Sequence, residues 1–261
     1  MANNFTSASW ISVWQFENNG NDEKSNNTLT AHNGAGYTTT NPMRGSYSAS
    51  LDLTSQTSFY ISDGDLSAGF PGKNGVGNKN FSVCGFFRLD TTNAVQIIAG
   101  KLNAPSEYCW CVQVRDDRTF RFSIGHGTVL YNTDYDPVIA ATTGNEYYFG
   151  CTYFAASLEC RVYLYDVTND EHHNTASTFQ SNVIASSLNG YPGPYFYIGR
   201  YTNAGYLHGQ VDEVGIYDGI LNETDYDNLR QDLYGGEASS SSSSSVSSSS
   251  VSSSSSSVSS S

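Results

Sequence analysis

The chain has 261 residues and a formal net charge of −13 at pH 7, with 12 Lys and Arg against 25 Asp and Glu. An acidic chain repels phosphate backbones, which argues against nucleic acid as a partner. It has no run of 18 apolar residues, so no membrane-spanning helix is expected, and its N-terminal MANNFTSASW lacks the basic and apolar regions of a Sec signal peptide.

Composition divides the chain into two parts. Residues 239–261 are serine interrupted only by Val246, Val251 and Val258. A serine tract cannot bury a core, so we expect a disordered tail that acts as a flexible spacer or joins the protein to a larger assembly. Residues 1–238 contain no Pro/Gly/Ser-rich linker and are rich in Tyr, Phe, Thr and Asn. We therefore expect a single domain built from strands and turns.

Apolar residues alternate with polar ones in short runs along residues 1–238, and residues that favour turns separate the runs. The runs fall at 11–17, 27–33, 45–53, 58–61, 81–89, 95–101, 108–114, 119–124, 146–154, 159–167, 195–199 and 207–217. Polar turns at 116–118 and 155–158 predict two hairpins. So many strands without intervening helices predict two packed antiparallel sheets rather than a parallel sheet.

One helix is predicted after the last strand. Asn222 and Asp225 have the spacing of an N-terminal capping pair, and they precede Tyr226, Leu229 and Leu233, which share one helical face. The predicted fold class is therefore all-β, an antiparallel two-sheet sandwich with one short C-terminal helix and a disordered tail.

The chain contains five cysteines, Cys84, Cys109, Cys111, Cys151 and Cys160, an odd number that cannot pair completely within one chain. Most of them lie in apolar strand patterns, which favours buried thiols. Two alternatives stay open: a disulfide between Cys151 and Cys160, and a metal site at Cys109 and Cys111, which a regular strand would place on one face.

Two stretches, one near each end of residues 8–235, have a residue pattern typical of one known domain family. ISVWQFENNGNDEKSNNTLTAHNG is an apolar strand with Trp and Phe, an acidic residue, a Gly/Asn loop and a short polar strand. YIGRYTNAGYLHGQVDEVGIYDGILNETDYDNLRQD contains a glycine, an apolar residue, Asp-Glu-Val, a strand ending in Tyr and a capped helix. Over residues 8–235 the chain resembles the laminin-G-like jelly-roll domains of the concanavalin A-like superfamily. The matching residues of the second stretch are Gly209, Val211, Asp212, Glu213, Val214, Ile216, Tyr217 and Leu221.

This resemblance implies a structural calcium site between the first and last strands. Regular alternation would place Asp212 on the same face as Val214 and Ile216, where a carboxylate needs a partner. By the resemblance, Asp212 is a calcium ligand with Glu17 of the first strand, and further oxygens complete the shell. The alternative is that Asp212 caps backbone N–H groups or pairs with an arginine.

The resemblance also implies a module that binds carbohydrate, because sugars are recognised by aromatic platforms beside polar side chains. Two segments offer such residues in predicted rim loops. The first, HGTVLYNTDYDP, contributes Tyr131, Asn132, Asp134, Tyr135 and Asp136. The second, LNGYPGPYFYIGRYTNAGY, contributes Tyr191, Tyr195, Arg200, Tyr201 and Asn203.

Glycosidases and lyases share this fold, and a retaining glycosidase needs two carboxylates about 5–5.5 Å apart. Asp212 and Glu213 are adjacent, so a regular strand points them to opposite faces, and the acidic pairs at 63–65 and 134–136 fall in a predicted turn and loop. The sequence therefore predicts a binding module rather than an enzyme. An inactive or unrecognised glycan-active enzyme is the remaining catalytic alternative.

The expected setting is the surface of a cell or particle, extracellular or on a virion, with a glycan or a surface protein as partner. A leaderless domain followed by polyserine is similar to phage-type sequences and to the linkers of secreted carbohydrate-active proteins. The alternative function is a structural, adhesion or decoration protein of a phage particle or extracellular assembly.

Overall fold

The computed structural model describes residues 5, 7–24, 26–103, 107–126, 129–134, 141–172, 180–183, 187–188, 195–200 and 205–233. The polyserine segment at 239–261 lies outside these ranges, so the disordered tail and the domain boundary stay predictions. No helix in the described ranges is long and apolar enough to cross a membrane.

Two β-sheets make up this part of the chain, and every strand pair in them is antiparallel. The first sheet contains β1 (Trp10–Trp14), β3 (Gly36–Thr38), β4 (Ser48–Leu51), β6 (Phe81–Leu89), β11 (Glu146–Phe154), β12 (Glu159–Asp166), β13 (Glu171–His172), β14 (Gln180–Val183) and β16 (Gly209–Tyr217). The second contains β2 (Thr30–His32), β5 (Ser58–Ser62), β7 (Gln96–Asn103), β8 (Glu107–Val114), β9 (Phe120–His126), β10 (Val129–Asp134) and β15 (Tyr195–Ile198). Helix α1 spans Glu223–Leu233. The predicted fold class is confirmed.

The strand order of the first sheet is β13-β12-β11-β6-β16-β4-β3, with β1 also pairing with β16 and β14 with β12. The second sheet has the order β10-β9-β8-β7-β15-β5-β2. The chain's first and last strands are neighbours, since Trp14 of β1 lies opposite Val214 of β16. Strand β1 ends earlier than predicted because Phe16 and Asn18 have φ of 54° and 57°, which are incompatible with a strand.

Alternation along the strands sends one set of side chains between the sheets, where they form the main core. Trp14, Phe87, Trp110 and Phe196 are fully buried there. A second cluster covers the outer face of the first sheet beneath α1. Its members include Trp10, Phe86, Tyr148, Tyr163 and Tyr226.

Helix α1 lies close against the first sheet. Gly150 of β11 permits this approach, since a Cβ there would lie 2.5 Å from the ring of Tyr226. The predicted cap is confirmed: the Asn222 N–H donates to Asp225 Oδ2 (2.8 Å), and the Asp225 N–H donates to Asn222 Oδ1 (3.1 Å).

A β-bulge in β16 places Asp212 on the face opposite to the predicted one. Asp212 pairs with Phe86 of β6 and Gly215 pairs with Cys84, so three steps along β16 match two steps along β6. Strand β16 therefore contains one extra residue between these pairs, where Glu213 has φ of 43°. Val211 and Val214 therefore both face the main core. Asp212 points to the opposite face, and the prediction that it shares a face with Val214 is wrong.

All five cysteines are buried thiols, as the apolar strand patterns predicted. The alternative disulfide is not formed: Cys151 lies opposite Val162 in the β11–β12 pair. Cys109 and Cys111 do not share a face, since Cys109 lies in the main core and Cys111 in a small cluster on the outer side of the second sheet. The cause is an irregularity in the β7–β8 pairing beside Cys109.

Candidate functional site

An aromatic surface lies on the outer face of the second sheet, where β2, β5 and β15 are adjacent. In β15, Phe196 and Ile198 are fully buried in the main core, so Tyr195 and Tyr197 point outward. Tyr60 of β5 lies opposite Tyr197 and faces the same way. We call this surface the tyrosine groove; its residues are Asn26, Thr28, Thr30, His32, Tyr60, Ile61, Ser62, Asp65, Tyr195, Tyr197 and Arg200.

The rings of the groove support one another. The Tyr60 and Tyr195 centroids are 5.3 Å apart at 88°, and those of Tyr195 and Tyr197 are 5.6 Å apart. The His32 ring meets Tyr60 edge-on at 6.0 Å and 81°. These are the offset and edge-to-face arrangements that aromatic quadrupoles favour, so the surface is a preorganised platform.

Two depressions meet at this platform. The larger has a volume of about 530 Å³ and extends from Tyr60 and Tyr195 towards Asp65. The smaller, of about 280 Å³, extends from the same two tyrosines towards Arg200. Tyr60 and Tyr195 border both, and the larger volume falls within the range of about 300–1,000 Å³ typical of small-ligand sites.

The two ends of the groove carry different polar groups. At one end the Arg200 guanidinium lies 5.0 Å from the Tyr197 ring centroid, and its Nη1 is 3.4 Å from Nε2 of His32. Burial raises the pKa of Tyr197, so its hydroxyl stays protonated and can donate a hydrogen bond. At the other end Asp65 is exposed and accepts a hydrogen bond from the Ser62 hydroxyl. The groove thus combines apolar ring faces with hydroxyl, carboxylate and guanidinium groups.

A buried ion pair supports the Asp65 end. Lys101 of β7 is fully buried, and its Nζ lies 2.9 Å from Oδ1 of Asp63. Asp63 and Asp65 lie in a single turn of 3-10 helix, which confirms the turn predicted there. A buried ammonium needs a charged partner, so the pair holds this turn against the sheet and places Ser62 and Asp65 at the rim.

The structure brings together some of the nominated glycan-binding residues and separates others. Tyr195 and Arg200 lie in the groove. Tyr131, Asn132 and Asp134 lie in β10, a strand paired with β9 at the far edge of the same sheet, and not in the loop expected there. Their part in binding stays a prediction. Tyr135, Asp136, Tyr191, Tyr201 and Asn203 lie outside the described residues.

Tyr60 and His32 form the other half of the platform, and they were not predicted from the sequence. Tyr60 sits between Phe59 and Ile61, and His32 follows two residues after Thr30 on the neighbouring strand. The signal was the alternation of Phe59-Tyr60-Ile61, which puts a tyrosine on the outward face of a strand. Its proximity to Tyr195 depends on β5 pairing with β15, about 135 residues later in the chain.

A second polar feature surrounds Asp212, which is fully buried. Its Oδ2 accepts hydrogen bonds from the Arg44 N–H (3.0 Å) and the Ser48 hydroxyl (2.7 Å), and its Oδ1 accepts one from the Glu213 N–H (2.9 Å). Desolvation by burial raises the pKa of Asp212 to about 8. The capping alternative is thus realised, because Asp212 holds the 43–48 loop in place.

Glu17 reaches the same loop from the end of β1. Both of its carboxylate oxygens accept from the Ser46 N–H, at 3.0 and 3.2 Å. Gly45 has φ of 55°, and a Cβ there would lie 1.6 Å from Oε1 of Glu17. A side chain at position 45 would force the Glu17 carboxylate to move, so glycine lets the loop close over Glu17 as observed.

Glu213 completes this carboxylate cluster, which comprises Glu17, Asp212 and Glu213. Burial is the larger cause and repulsion from Asp212 the second cause that raise the pKa of Glu213 to about 8. The Oε2 atom of Glu213 is buried without a hydrogen-bond partner. Arg44 is the cation beside the cluster, and its Nη1 also pairs with Glu146 at 2.8 Å. Carboxylates with one buried orphan oxygen are the donor type that a hard divalent cation prefers, but ligand atoms of all three residues do not come within 4.8 Å of one another in this structure.

Three solved structures have a similar fold. Domain 4 of AbnA, a GH43 extracellular arabinanase from Geobacillus stearothermophilus, in complex with arabinotriose, has a TM-score of 0.58 at 15% identity, over 85% of this chain and 98% of that one. The binding domain of botulinum neurotoxin DC in complex with SialylT has a TM-score of 0.60 at 11% identity, over 87% of this chain and 52% of that one. A mutant Trypanosoma rangeli sialidase displaying trans-sialidase activity has a TM-score of 0.53 at 16% identity, over 88% of this chain and 34% of that one.

This chain therefore spans nearly all of the arabinanase domain, about half of the neurotoxin domain and about a third of the sialidase. At these identities the likeness establishes a shared antiparallel β-sandwich fold. No protein-family model matches the sequence, and no curated protein matches it.

Proposed function

We propose that the protein is a non-catalytic glycan-binding module and that the tyrosine groove is its binding site. The observation that carries this proposal is the continuity of two depressions across the half-buried rings of Tyr60 and Tyr195. Sugar rings have an apolar C–H face that packs on tyrosine, and their hydroxyls need donors and acceptors beside it. Asp65, Ser62, His32 and Arg200 supply those groups at the two ends.

The fold supports this proposal by analogy. The arabinanase domain was solved with arabinotriose and the neurotoxin domain with SialylT. A sandwich of this kind hosts many functions, so the analogy adds weight only because a groove of suitable size and chemistry is present in this chain.

The chemistry of the groove favours binding over hydrolysis. Among the described residues that line the two depressions, Asp65 is the sole carboxylate. Glycoside hydrolysis uses a pair of carboxyl groups, about 5–5.5 Å apart in retaining enzymes and about 6.5–9.5 Å apart in inverting ones. A single exposed carboxylate can instead accept hydrogen bonds from sugar hydroxyls.

A glycan array tests the proposal directly. The wild-type protein is expected to bind a defined set of oligosaccharides, and Tyr60→Ala is expected to lose the same signals while keeping its circular dichroism spectrum. Thr54→Ala, on an exposed turn that does not line either depression, is the matched control and should keep them. Absence of signals with folded wild-type protein, or equal signals from wild type and Tyr60→Ala, contradicts the proposal.

We further propose that the carboxylate cluster of Glu17, Asp212 and Glu213 holds a structural calcium ion. Calcium would neutralise the repulsion between Asp212 and Glu213 and supply a partner for the orphan Oε2 of Glu213. It prefers several oxygen ligands, so backbone carbonyls and water would complete the shell. A thermal melting midpoint that falls on adding EDTA and recovers with calcium supports this; an identical midpoint removes it.

The serine-rich segment and the setting of the protein complete the proposal. We propose that residues 239–261 are a flexible spacer that attaches the module to a larger assembly on a cell or virion surface. A structural or decoration role on a phage particle is the competing function. Capsid and tail genes beside this gene, together with an empty glycan array, would favour the competing role.

A further inference from the structure

A cluster of possible metal ligands lies on the outer face of the first sheet, away from both the tyrosine groove and the carboxylate cluster. It comprises His172 of β13 and Glu223 and Asp227 of α1. One ligand atom from each lies within 4.8 Å of the others, and within the described residues it is the one group of three His, Cys, Asp or Glu that meets this distance. Glu223 and Asp227 are four residues apart, so the helix presents both carboxylates on one side.

The His172 ring is fixed in position. It meets the Tyr163 ring edge-on at 5.5 Å and 89°, and the Tyr165 ring at 4.9 Å and 88°. Its Nδ1 is buried and has no hydrogen-bond partner. A buried imidazole nitrogen without a partner costs about 1–3 kcal/mol, and a ligand bound to this atom would offset that cost.

Neighbouring side chains orient Asp227 in the way that supporting residues orient metal ligands. Its Oδ1 accepts a hydrogen bond from the Tyr163 hydroxyl at 2.7 Å and lies 3.3 Å from Nη2 of Arg230. The Arg230 guanidinium in turn stacks on the Tyr165 ring at 3.6 Å.

We propose that His172, Glu223 and Asp227 bind a divalent first-row transition-metal ion, with zinc as the expected occupant. One imidazole and two carboxylates form a nitrogen–oxygen donor set of the kind zinc accepts, whereas calcium prefers six to eight oxygens. The ion joins β13, at the edge of the first sheet, to α1, and water fills the remaining coordination position. Its role is to clip the C-terminal helix to the sheet.

The test uses the full chain without a polyhistidine tag, freed of metal by a chelator and titrated with zinc chloride in a calorimeter. The expected result is one zinc per chain and a rise in the melting midpoint. His172→Ala and Glu223→Gln are each expected to weaken binding at least tenfold and to abolish that rise. His208→Ala, which removes a half-buried histidine elsewhere, is the control and should leave binding unchanged.

The test uses two variants because His172→Ala could perturb β13. Glu223→Gln retains the shape of the side chain and removes only its charge, so it tests the same site without that risk. Failure of zinc to bind the folded wild-type chain at micromolar concentration overturns the proposal. So does zinc binding that Glu223→Gln and His172→Ala leave unchanged, since the ion would then lie elsewhere.

Discussion

Trp14 of β1 lies directly opposite Val214 of β16, so the two ends of the folded chain meet in one sheet. The Trp14 side chain is fully buried and its Nε1–H donates to the Asn27 carbonyl at 2.8 Å. Its ring stacks on Phe196 of the opposite sheet, with centroids 5.2 Å apart and planes at 18°. One residue thus joins the first strand, the last strand and both layers of the sandwich.

Truncation of this residue tests its importance for stability. Trp14→Ala removes a fully buried indole and is expected to lower the free energy of unfolding by about 3–5 kcal/mol. Ile220→Ala is the control, since Ile220 is 43% exposed, and it should change stability by at most about 0.5 kcal/mol. Urea denaturation measures both. Similar losses for the two variants would show that the contact between chain ends contributes little.

Gly34 and Gly45 give a matched pair of glycines for testing the 43–48 loop. Gly34 and Gly45 both have positive φ, but a Cβ at Gly34 meets nothing within 4 Å, whereas one at Gly45 collides with Glu17. Gly34→Ala is expected to cost about 1 kcal/mol from backbone strain alone. Gly45→Ala should cost up to about 1 kcal/mol more, because it also displaces the Glu17 carboxylate from the Ser46 N–H. Equal unfolding midpoints would contradict the close approach of Glu17.

The ion pair beneath the groove predicts a large effect of a single carboxylate. Asp63→Ala leaves the ammonium of Lys101 buried without this partner and is expected to cost about 3 kcal/mol. Asp116→Ala breaks a contact with Arg115 that is 3.8 Å long and 62% exposed on the acidic side, and should cost at most about 0.5 kcal/mol. Chemical denaturation measures the loss of stability in both variants, and a loss for Asp63→Ala as small as that for Asp116→Ala would contradict the prediction.

The buried thiols predict low reactivity in the folded state. Burial raises the pKa of Cys84 and of Cys111 to about 12, so the reactive thiolate form is scarce at both sites at pH 8. Ellman's reagent at pH 8 is expected to leave the native protein unmodified and to label five thiols per chain in guanidinium. Rapid labelling of the native protein, or a melting midpoint that falls under reducing conditions, would contradict this arrangement.

Much of the fold follows from local pattern. The strands at 81–89 and 146–154 were predicted with the observed bounds, and the Asn222–Asp225 cap was predicted from spacing. The two strands are long runs rich in apolar and aromatic residues, and the helix start carries a specific capping chemistry. The short strands β3, β10, β13 and β14 were missed, because they form at sheet edges through pairing rather than through a pattern of their own.

The candidate sites were less predictable, for two physical reasons. Irregularities in β16 and β8 move side chains from one face to the other, and nothing in the local pattern marks where an extra residue enters. For this reason the predicted face of Asp212 and the predicted shared face of Cys109 and Cys111 were wrong. The tyrosine groove, in turn, depends on long-range pairing. Tyr195 and Arg200 were identified from their own segment, but Tyr60 and His32 reach them only through the β2–β5–β15 order.

Calorimetric titration of the Tyr195→Ala variant with an oligosaccharide selected on the glycan array tests the central claim most directly. Tyr195 borders both depressions, so removing its ring takes away half of the shared platform. We expect an affinity at least tenfold weaker than that of the wild-type protein, equivalent to about 1.4 kcal/mol, with an unchanged melting midpoint. An undiminished affinity for the same oligosaccharide would contradict binding in the tyrosine groove.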